Sequence, residues 1–586
     1  MSLDLDSANR LIEIGIALSS EKDINVLMEK ILLEAMDLTN ADGGTLYLHD
    51  EASSLRFEII RTRSLGIAQG GTSENKVSLP PVQLTDAAGN PNLKNIVTFA
   101  AIKGKTVNIE DAYVSTDFDF SGPRKFDDLT GFRSQSFLTV PMKNKGGELI
   151  GVLQLLNCME PGSQRVIAFA QDIQPLVESL ASQAAVSLDN AHLIKEMADL
   201  QQAFIELLAS ALDAKSPYTG GHCQRVPELA KMLTEAASEE QAAPFTEFSL
   251  NEDDRNELQL ASWMHDCGKV VTPEYVVDKA TKLETITDRI HEVRTRFEVI
   301  KRDARIRCLE AILQGNDAAQ EQVLLEAELK KIDDDFYFIA ETNLGGEFLE
   351  EASIDRVKQI GHRTWSRTLD NRAGVSIAER KRFDKIPEPS LPVEESLIAD
   401  RPDHLIEHPN VPFSADPENR FGFKVSVPEH RFNLGEIYNL SISRGTLTDE
   451  ERFIINDHIV QTIVMLEKLP LPKSLQRVPE IAGGHHEKMD GTGYPRGLVG
   501  SQMSLPAKVM AIADIFEALT AADRPYKGRK SLSQCLKIMS FMAKDNHIDT
   551  DLYRLFLEKG IYLQYAQRFL RADQIDDIDI QDFMVA

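Results

Sequence analysis

The first part of the chain is patterned as two helices followed by a series of strands. Apolar residues at three- and four-residue steps predict amphipathic helices over Ala8–Leu18 and Ile24–Leu38. Shorter apolar runs between turn residues predict strands over Gly44–His49, Leu55–Arg61, Ile96–Ile109, Phe137–Met142 and Leu149–Leu156. Helices followed by mostly antiparallel strands predict an α/β unit over residues 1–175, with helices on one side of a sheet.

Residues 176–216 contain neither glycine nor proline, which predicts one long helix. At 1.5 Å per residue this helix would be about 60 Å long. Small, polar and apolar residues at alternating steps of four and three form a weak coiled-coil seam. The seam comprises Leu180, Ala184, Ser187, Ala191, Ile194, Ala198, Gln201, Ile205 and Leu208. Two interpretations stay open: a parallel signalling helix that makes the protein a homodimer, and a helix buried in its own domain.

The rest of the chain is dominated by helical periodicity, except for one region of different character. In that region, two charged amphipathic helices, Arg289–Gly315 and Ala318–Asp334, precede an irregular proline-rich stretch, Pro387–Pro428. We therefore predict an all-α domain interrupted by an insertion of unknown role. The predicted bounds are 211–284 and 446–586 for the two parts of the domain, the second including terminal helices, and 285–445 for the insertion.

Composition narrows the class of protein. The 586 residues exceed what one hydrophobic core supports, which predicts two to four domains. A formal charge of −28 argues against binding of DNA or RNA polymers, because such binding requires neutralisation of phosphates by Lys and Arg. Five scattered cysteines are typical of reduced cytoplasmic thiols. Neither a signal peptide nor a membrane span is predicted, so we expect a cytoplasmic protein.

Histidines and aspartates occur in short motifs that suit metal binding. The adjacent pair His265-Asp266 offers an imidazole nitrogen and a carboxylate, and a carboxylate can bridge two divalent ions. Histidine-rich ligation suits Fe, Mn, Ni or Zn better than Mg or Ca. Lys269 follows His265 by four residues, on about the same helical face, where it can contact a phosphate. Each motif alone also has a structural interpretation, and only their co-occurrence favours a metal site.

The segment Gly122–Asn157, with TGFRSQS and GELIGVLQLLN, resembles GAF domains, particularly those of cyclic-nucleotide phosphodiesterases and cyclases. The resemblance implies that residues 1–175 form a sensor domain with an antiparallel sheet, helices and room for a small ligand. The family's nucleotide-binding signature places Lys after that last Asn, whereas Cys158 stands here. After Phe169 only Asp172 is present, in a shifted position. The ligand stays open between a cyclic nucleotide, another small molecule and none.

Four segments of the helical part are together similar to the HD-GYP subgroup of HD phosphohydrolases. These segments are Ala211–Val226, Trp263–Leu283, Gly445–Leu466 and His485–Lys527. The resemblance implies two divalent metal ions, with Fe or Mn expected. The implied ligands are His222, His265, Asp266, His458, His485, His486 and Asp514. Some members hold a third ion with a Glu at the position of Tyr218, so two ions are predicted here.

The same resemblance implies roles for individual residues. Asp266 would bridge the two ions, and Lys269 would contact the scissile phosphate. Tyr494 and Arg524 would line the substrate site, and Glu517 stands where Asp is usual. By the family's mechanism a metal-activated hydroxide opens cyclic di-GMP to linear pGpG, and a slower second cut gives GMP. Two alternatives stay open: hydrolysis of another cyclic dinucleotide, and a non-catalytic nucleotide receptor.

Overall fold

The computed structural model describes most of the chain. The described ranges are 5–21, 23–50, 52–86, 88–163, 165–215, 221–346, 348–521 and 529–585. The chain divides into two compact units, Met1–Gln202 and Ala203–Ala586. Among the described residues, no helix has the length and apolar composition that crossing a membrane requires.

The first unit is built from an antiparallel sheet and surrounding helices. Its helices are α1 (Leu5–Ser20), α2 (Ile24–Thr39), α3 (Ile96–Lys103), α4 (Ser121–Thr130) and α5 (Gln174–Lys215), the last of which continues past the unit's end. Its strands are β1 (Ala41–His49), β2 (Ser54–Thr62), β3 (Ile67–Gly70), β4 (Val82–Gln83), β5 (Val107–Ile109), β6 (Phe137–Lys143), β7 (Leu149–Met159) and β8 (Val166–Ile167). The sheet order is β3-β2-β1-β7-β6-β5, with β4 beside β2 and β8 beside β7. The predicted antiparallel sheet with helices is confirmed.

Helices cover both faces of this sheet, so the prediction of helices on one side only is wrong. Helices α1, α2 and the first part of α5 pack on one face, where Leu32 and Leu180 are fully buried. On the other face, α3 buries Val97 and Ala100 against side chains such as Phe137. Apolar burial on two faces gives this small unit two hydrophobic layers instead of one.

The second helix-covered face exists because Ile96–Ile109, predicted as a strand, forms α3 followed by β5. The Asn95 side chain caps α3 by accepting the N–H groups of Val97 and Thr98. Gly104, with φ of 59°, ends the helix in the left-handed conformation that glycine adopts without strain. These two caps stabilise a helix in a stretch whose β-branched residues favour a strand.

A cavity of about 590 Å³ lies in the first unit and has the size of a small-ligand site. Its wall combines aromatic, aliphatic and polar side chains. The aromatic lining residues are Tyr47, Phe57, Phe120, Phe126, Phe132 and Phe137. The predicted capacity of this domain for a small ligand stays a prediction.

Helix α5 agrees with the predicted long helix, and it changes character along its length. Leu180, Ala184 and Leu188 are buried in the core of the first unit, as the interpretation of a helix within its own domain required. From Leu193 onward most apolar residues of the helix are exposed. The interpretation of a helix buried in its own domain thus fits the first part of α5, and the dimeric signalling helix stays a prediction for the rest.

The second unit is mainly helical. Its helices are α6 (His222–Glu239), α7 (Glu252–Met264), α8 (Glu274–Val277), α9 (Ile290–Leu313), α10 (Ala318–Asn343), α11 (Glu351–Gly361), α12 (Ile377–Phe383), α13 (Glu436–Leu440), α14 (Asp449–Leu466), α15 (Val478–Gly483), α16 (Leu505–Thr520), α17 (Leu532–Lys544), α18 (Thr550–Glu558) and α19 (Ile561–Phe569). Its short strands are β9 (Thr364–Arg367), β10 (Val393–Ser396), β11 (Leu405–Ile406) and β12 (Phe432–Asn433).

In the described part of this unit, the two largest hydrophobic cores lie in different regions. Helices α6, α7 and α15–α19 share the larger core, which includes Phe516, Tyr553 and Tyr565. A smaller core joins α9, α10, α11 and α13 through residues such as Phe297 and Ile339. The smaller core belongs to the region predicted as an insertion, which therefore has packing of its own. The bounds 285–445 of that insertion stay a prediction.

Candidate metal centre

The His265-Asp266 pair lies where α7 ends. A capping box between Asn251 and Asp254 starts this helix, and a 3₁₀ turn, Cys267–Val271, follows the pair. The turn packs closely on α14, because Gly268 has no side chain. A Cβ atom at Gly268 would lie 1.9 Å from the His458 carbonyl oxygen. The glycine of this motif therefore brings the Asp266 carboxylate beside α14.

The other predicted ligands come from four further places in the same unit. His222 is the first residue of α6, and Asp514 lies on α16, against which α6 packs. His458 lies on α14, and the tandem His485-His486 follows α15. Five separate segments thus bring all seven predicted ligands into one cluster. Within it, three groups each have ligand atoms within 4.8 Å of one another: His222, His265 and Asp514; His265, Asp266 and His485; and His458, His485 and His486.

Asp266 lies between two sets of imidazoles. Its Oδ2 is 3.2 Å from His222 Nε2 and 3.3 Å from His265 Nε2. Its Oδ1 is 3.3 Å from His458 Nε2. Asp514 Oδ1 lies 3.4 Å from His222 Nε2, on the same side as Asp266 Oδ2. One carboxylate with its oxygens directed to two different nitrogen sets is the arrangement that a pair of ions sharing a ligand requires.

Three of the imidazoles make their hydrogen bonds through Nδ1, so their Nε2 atoms stay available to face the centre of the cluster. The Nδ1–H groups of His265, His458 and His485 donate to the carbonyl oxygens of Ser262, Ile455 and Ala482, at 2.7, 2.5 and 2.7 Å. A donor hydrogen on Nδ1 puts the lone pair on Nε2, where it can bind a metal. Within the described part of the chain, the buried Nε2 atoms of His458 and His485 have no hydrogen-bond partner. These orphaned nitrogens fit a bound cation.

Electrostatics divides the cluster into two halves. Burial, followed by the neighbouring imidazoles, lowers the pKa of His485 to about 4 and that of His486 well below its usual value, so both rings are neutral at pH 7. Burial also opposes the charge of His222 and His265, yet carboxylates such as Asp266 outweigh it and raise their pKa to about 9 and about 10. One half thus offers neutral ligands. In the other half, His222 and His265 hold protons beside the carboxylates, and a bound metal cation would replace these protons and free the Nε2 lone pairs.

Lys269 and Tyr494, predicted to contact the substrate, both lie at the cluster. Lys269 Nζ is 2.5 Å from Asp266 Oδ2, and about a third of its side chain (37%) is exposed. The Tyr494 ring stacks on the His486 ring with centroids 4.8 Å apart and an angle of 18°. Burial raises the pKa of Tyr494, so its hydroxyl stays a hydrogen-bond donor at neutral pH. Arg524 and Tyr218 lie outside the described residues.

Two glutamates support the cluster in ways that the sequence did not reveal. Glu517 accepts the Nδ1–H of His222 at 2.5 Å and a hydrogen bond from Arg225 Nε at 2.7 Å, which orients the imidazole. Glu487 is 1% exposed and accepts the backbone N–H groups of Arg496 and Leu498, at 2.6 and 2.8 Å. Glu487 follows the tandem histidines directly, and that position was the only sequence signal for its role.

Known families match both units of the chain. The GAF domain family matches residues 23–188, within which the antiparallel sheet lies. HD domain families match residues 219–337 and 392–552. The first HD range contains His222, His265 and Asp266, and the second contains the other four predicted ligands. Residues 338–391 lie between the two HD ranges.

Several curated proteins are similar to parts of the chain. A 3'3'-cGAMP-specific phosphodiesterase 1 of Vibrio cholerae serotype O1 is 39% identical over 123 residues, covering 21% of this chain and 27% of the relative. A probable cyclic di-GMP phosphodiesterase of the same organism is 32% identical over 163 residues, covering 27% and 34%. A cyclic di-GMP phosphodiesterase of Pseudomonas aeruginosa is 35% identical over 119 residues, covering 20% and 28%. The alignments span between about a quarter and a third of the relatives' lengths. The family models assign a GAF domain and HD-domain regions to this chain.

Proposed function

We propose that the second unit hydrolyses cyclic di-GMP to linear pGpG at a centre for two divalent metal ions, Fe or Mn. The observation that carries this proposal is the position of Asp266, whose two oxygens face different imidazole sets at 3.2–3.3 Å. Two ions bound by these residues would supply Lewis-acid activation of water and of the scissile phosphate. The proposed ligands are the seven side chains of the cluster.

Two further side chains at the cluster, Lys269 and Tyr494, suit a substrate that carries negative charge and aromatic bases. The Lys269 ammonium lies beside Asp266 and reaches solvent, so it can donate to a phosphate oxygen near the centre. The Tyr494 ring lies on His486 and offers a hydroxyl donor at the edge of the cluster. In this proposal, Lys269 and Tyr494 position the dinucleotide. Asp266 joins the two ligand sets that lie on either side of its carboxylate.

A second candidate substrate is 3'3'-cGAMP, because a relative 39% identical over its aligned part carries that name. Both substrates present the same phosphodiester chemistry, and they differ only in one base. The seven cluster residues act on the phosphate, which both substrates share, so they do not discriminate between the substrates. Discrimination between the bases depends on the residues that form the walls of the pocket.

Competing turnover of the two dinucleotides tests the proposal. We expect kcat/KM for cyclic di-GMP to exceed that for 3'3'-cGAMP by about tenfold or more, with pGpG as the first product, because a well-made pair of hydrogen bonds to a base edge discriminates against the wrong base by about 1–3 kcal/mol. Chromatographic separation of products from each substrate measures it. A reversed ratio would make 3'3'-cGAMP the substrate, and no hydrolysis of either would favour the receptor function.

The exposed part of α5 supports a homodimer, and it indicates which face pairs. Exposed apolar residues recur at alternating steps of four and three, the spacing of a coiled-coil seam. These residues are Leu193, Met197, Leu200, Phe204 and Leu207, each between 54% and 69% exposed. This stripe lies beside the weaker seam predicted from the sequence, and it is richer in large apolar side chains.

Changing Leu200 to glutamate is expected to convert the proposed dimer into a monomer, because like charges would meet at the centre of the seam. Light scattering on the eluting protein measures the mass. Gln201→Glu is the matched control, since Gln201 is exposed and adjacent but belongs to the seam predicted from sequence. Dissociation by Gln201→Glu with no effect of Leu200→Glu would place the interface on the other seam.

A further inference from the structure

A short segment of the predicted insertion, residues 419–425, is anchored on the helix that carries one of the proposed ligands. Phe423 is 3% exposed and packs with Val460, Ile463 and Val464 of α14. The Phe421 ring stacks on the Phe423 ring, with centroids 5.4 Å apart and an angle of 27°. The segment therefore has a fixed position relative to α14.

The same segment is hydrogen-bonded to the turn that carries Tyr494. The Lys424 N–H donates to the Pro495 carbonyl oxygen at 2.7 Å. The Arg496 Nε–H donates to the Phe421 carbonyl oxygen at 3.0 Å, and its guanidinium carbon lies 6.0 Å from the centre of the Phe423 ring. Residues 494–496 of the turn are thus joined to a part of the chain far away in sequence.

The segment that carries the tandem histidines holds the other side of this turn. Glu487 accepts the N–H groups of Arg496 and Leu498, and the Tyr494 N–H donates to the His486 carbonyl oxygen at 3.2 Å. These bonds fix the turn to the tandem histidines. The segment 419–425 fixes the same turn to α14. The turn is therefore attached both to the tandem histidines and to the helix that supplies the third histidine of their ligand group.

We propose that residues 419–425 are a positioning element of the substrate site, with Phe423 as their anchor. This inference rests on the proposed function, because it gives the segment the task of holding Tyr494 where a dinucleotide would meet it. The segment also brings Lys424 beside the turn that carries Arg496. Two cations at this turn, in a chain of formal charge −28, favour the approach of an anionic substrate.

Hydrogen exchange of the metal-loaded full chain tests the positioning role directly. In Phe423→Ala we expect amides of residues 488–499 to exchange about tenfold faster or more, because the turn loses one of its two attachments. Phe383→Ala is the matched control: Phe383 lies in the same predicted insertion on α12 and is 6% exposed. Unchanged exchange in Phe423→Ala, or equal acceleration in Phe383→Ala, would overturn the proposal.

Steady-state kinetics tests the substrate role. We expect Phe423→Ala to raise KM for the hydrolysed dinucleotide by about tenfold, with kcat within about twofold and metal content unchanged. Phe423→Leu, which retains an apolar anchor, should restore most of the affinity. An unchanged KM despite faster exchange would overturn the substrate role. If the unmodified protein hydrolyses no dinucleotide, the proposed function fails, and the exchange result still decides separately whether the segment holds the turn.

Discussion

Changing Asp266 to alanine is expected to lower kcat for cyclic di-GMP by about 10⁴-fold or more and to reduce bound metal to one ion per chain or fewer. Its carboxylate is 3% exposed and lies 3.2–3.3 Å from three imidazole Nε2 atoms, so it faces both ligand sets at once. A 10⁴-fold loss corresponds to about 5.4 kcal/mol of activation free energy, which is in the range of a lost metal cofactor. Metal analysis and product formation measure both effects.

A matched control separates this loss from misfolding. Glu274→Ala removes an exposed carboxylate from α8, in the segment that follows the 3₁₀ turn, and should keep metal content and turnover. Thermal unfolding of the Asp266 variant should stay cooperative, because Asp266 lies outside the hydrophobic cores. Turnover by Asp266→Ala close to that of the unmodified protein would refute the bridging role.

Changing Lys269 to methionine is expected to lower kcat by about 10²–10³-fold while leaving metal content unchanged. Methionine keeps much of the side-chain length and removes the charge that we propose to stabilise the phosphate oxygens in the transition state. Although burial opposes its charge, Asp266 and Asp514 raise the pKa of Lys269, so the ammonium is fully charged at neutral pH. Single-turnover kinetics with quantified metal measures the effect.

The alternative role for Lys269 is structural, as the ion-pair partner of Asp266 at 2.5 Å. Lys269→Arg distinguishes the two roles, because arginine keeps the charge but not the compact ammonium geometry. We expect Lys269→Arg to retain metal and recover part of kcat. Loss of metal in Lys269→Met, with normal turnover once metal is restored, would assign Lys269 to support of Asp266 alone.

The cluster could be predicted from the sequence because its residues occur in short, distinctive motifs. Neither the His265-Asp266 pair nor the tandem His485-His486 is informative alone, and the resemblance supplied their partners. Structure adds what motifs do not contain: the Nδ1 bonds to backbone carbonyls, and the bond from His222 to Glu517. The Nδ1 bonds are made to carbonyls only three residues away, whereas the bond from His222 to Glu517 depends on the packing of helices that are distant in sequence.

The first unit shows where periodicity fails as a guide. Ile96–Ile109 is apolar and begins with β-branched residues, so it resembles a strand, yet caps at Asn95 and Gly104 make its first half a helix. Short apolar runs do not separate a buried helix from a buried strand. The contact of residues 419–425 with the Tyr494 turn was likewise beyond prediction, because it joins an irregular stretch to a motif through backbone hydrogen bonds.

The central proposal is that this chain is a phosphodiesterase with a two-metal centre built around Asp266. The most direct test is a single preparation of the unmodified full chain, purified without oxygen, in which metal per chain and hydrolysis of cyclic di-GMP are measured together. We predict about two Fe or Mn ions per chain and formation of linear pGpG. A protein that binds no metal under these conditions would contradict the ligand assignment, and with it the proposed chemistry.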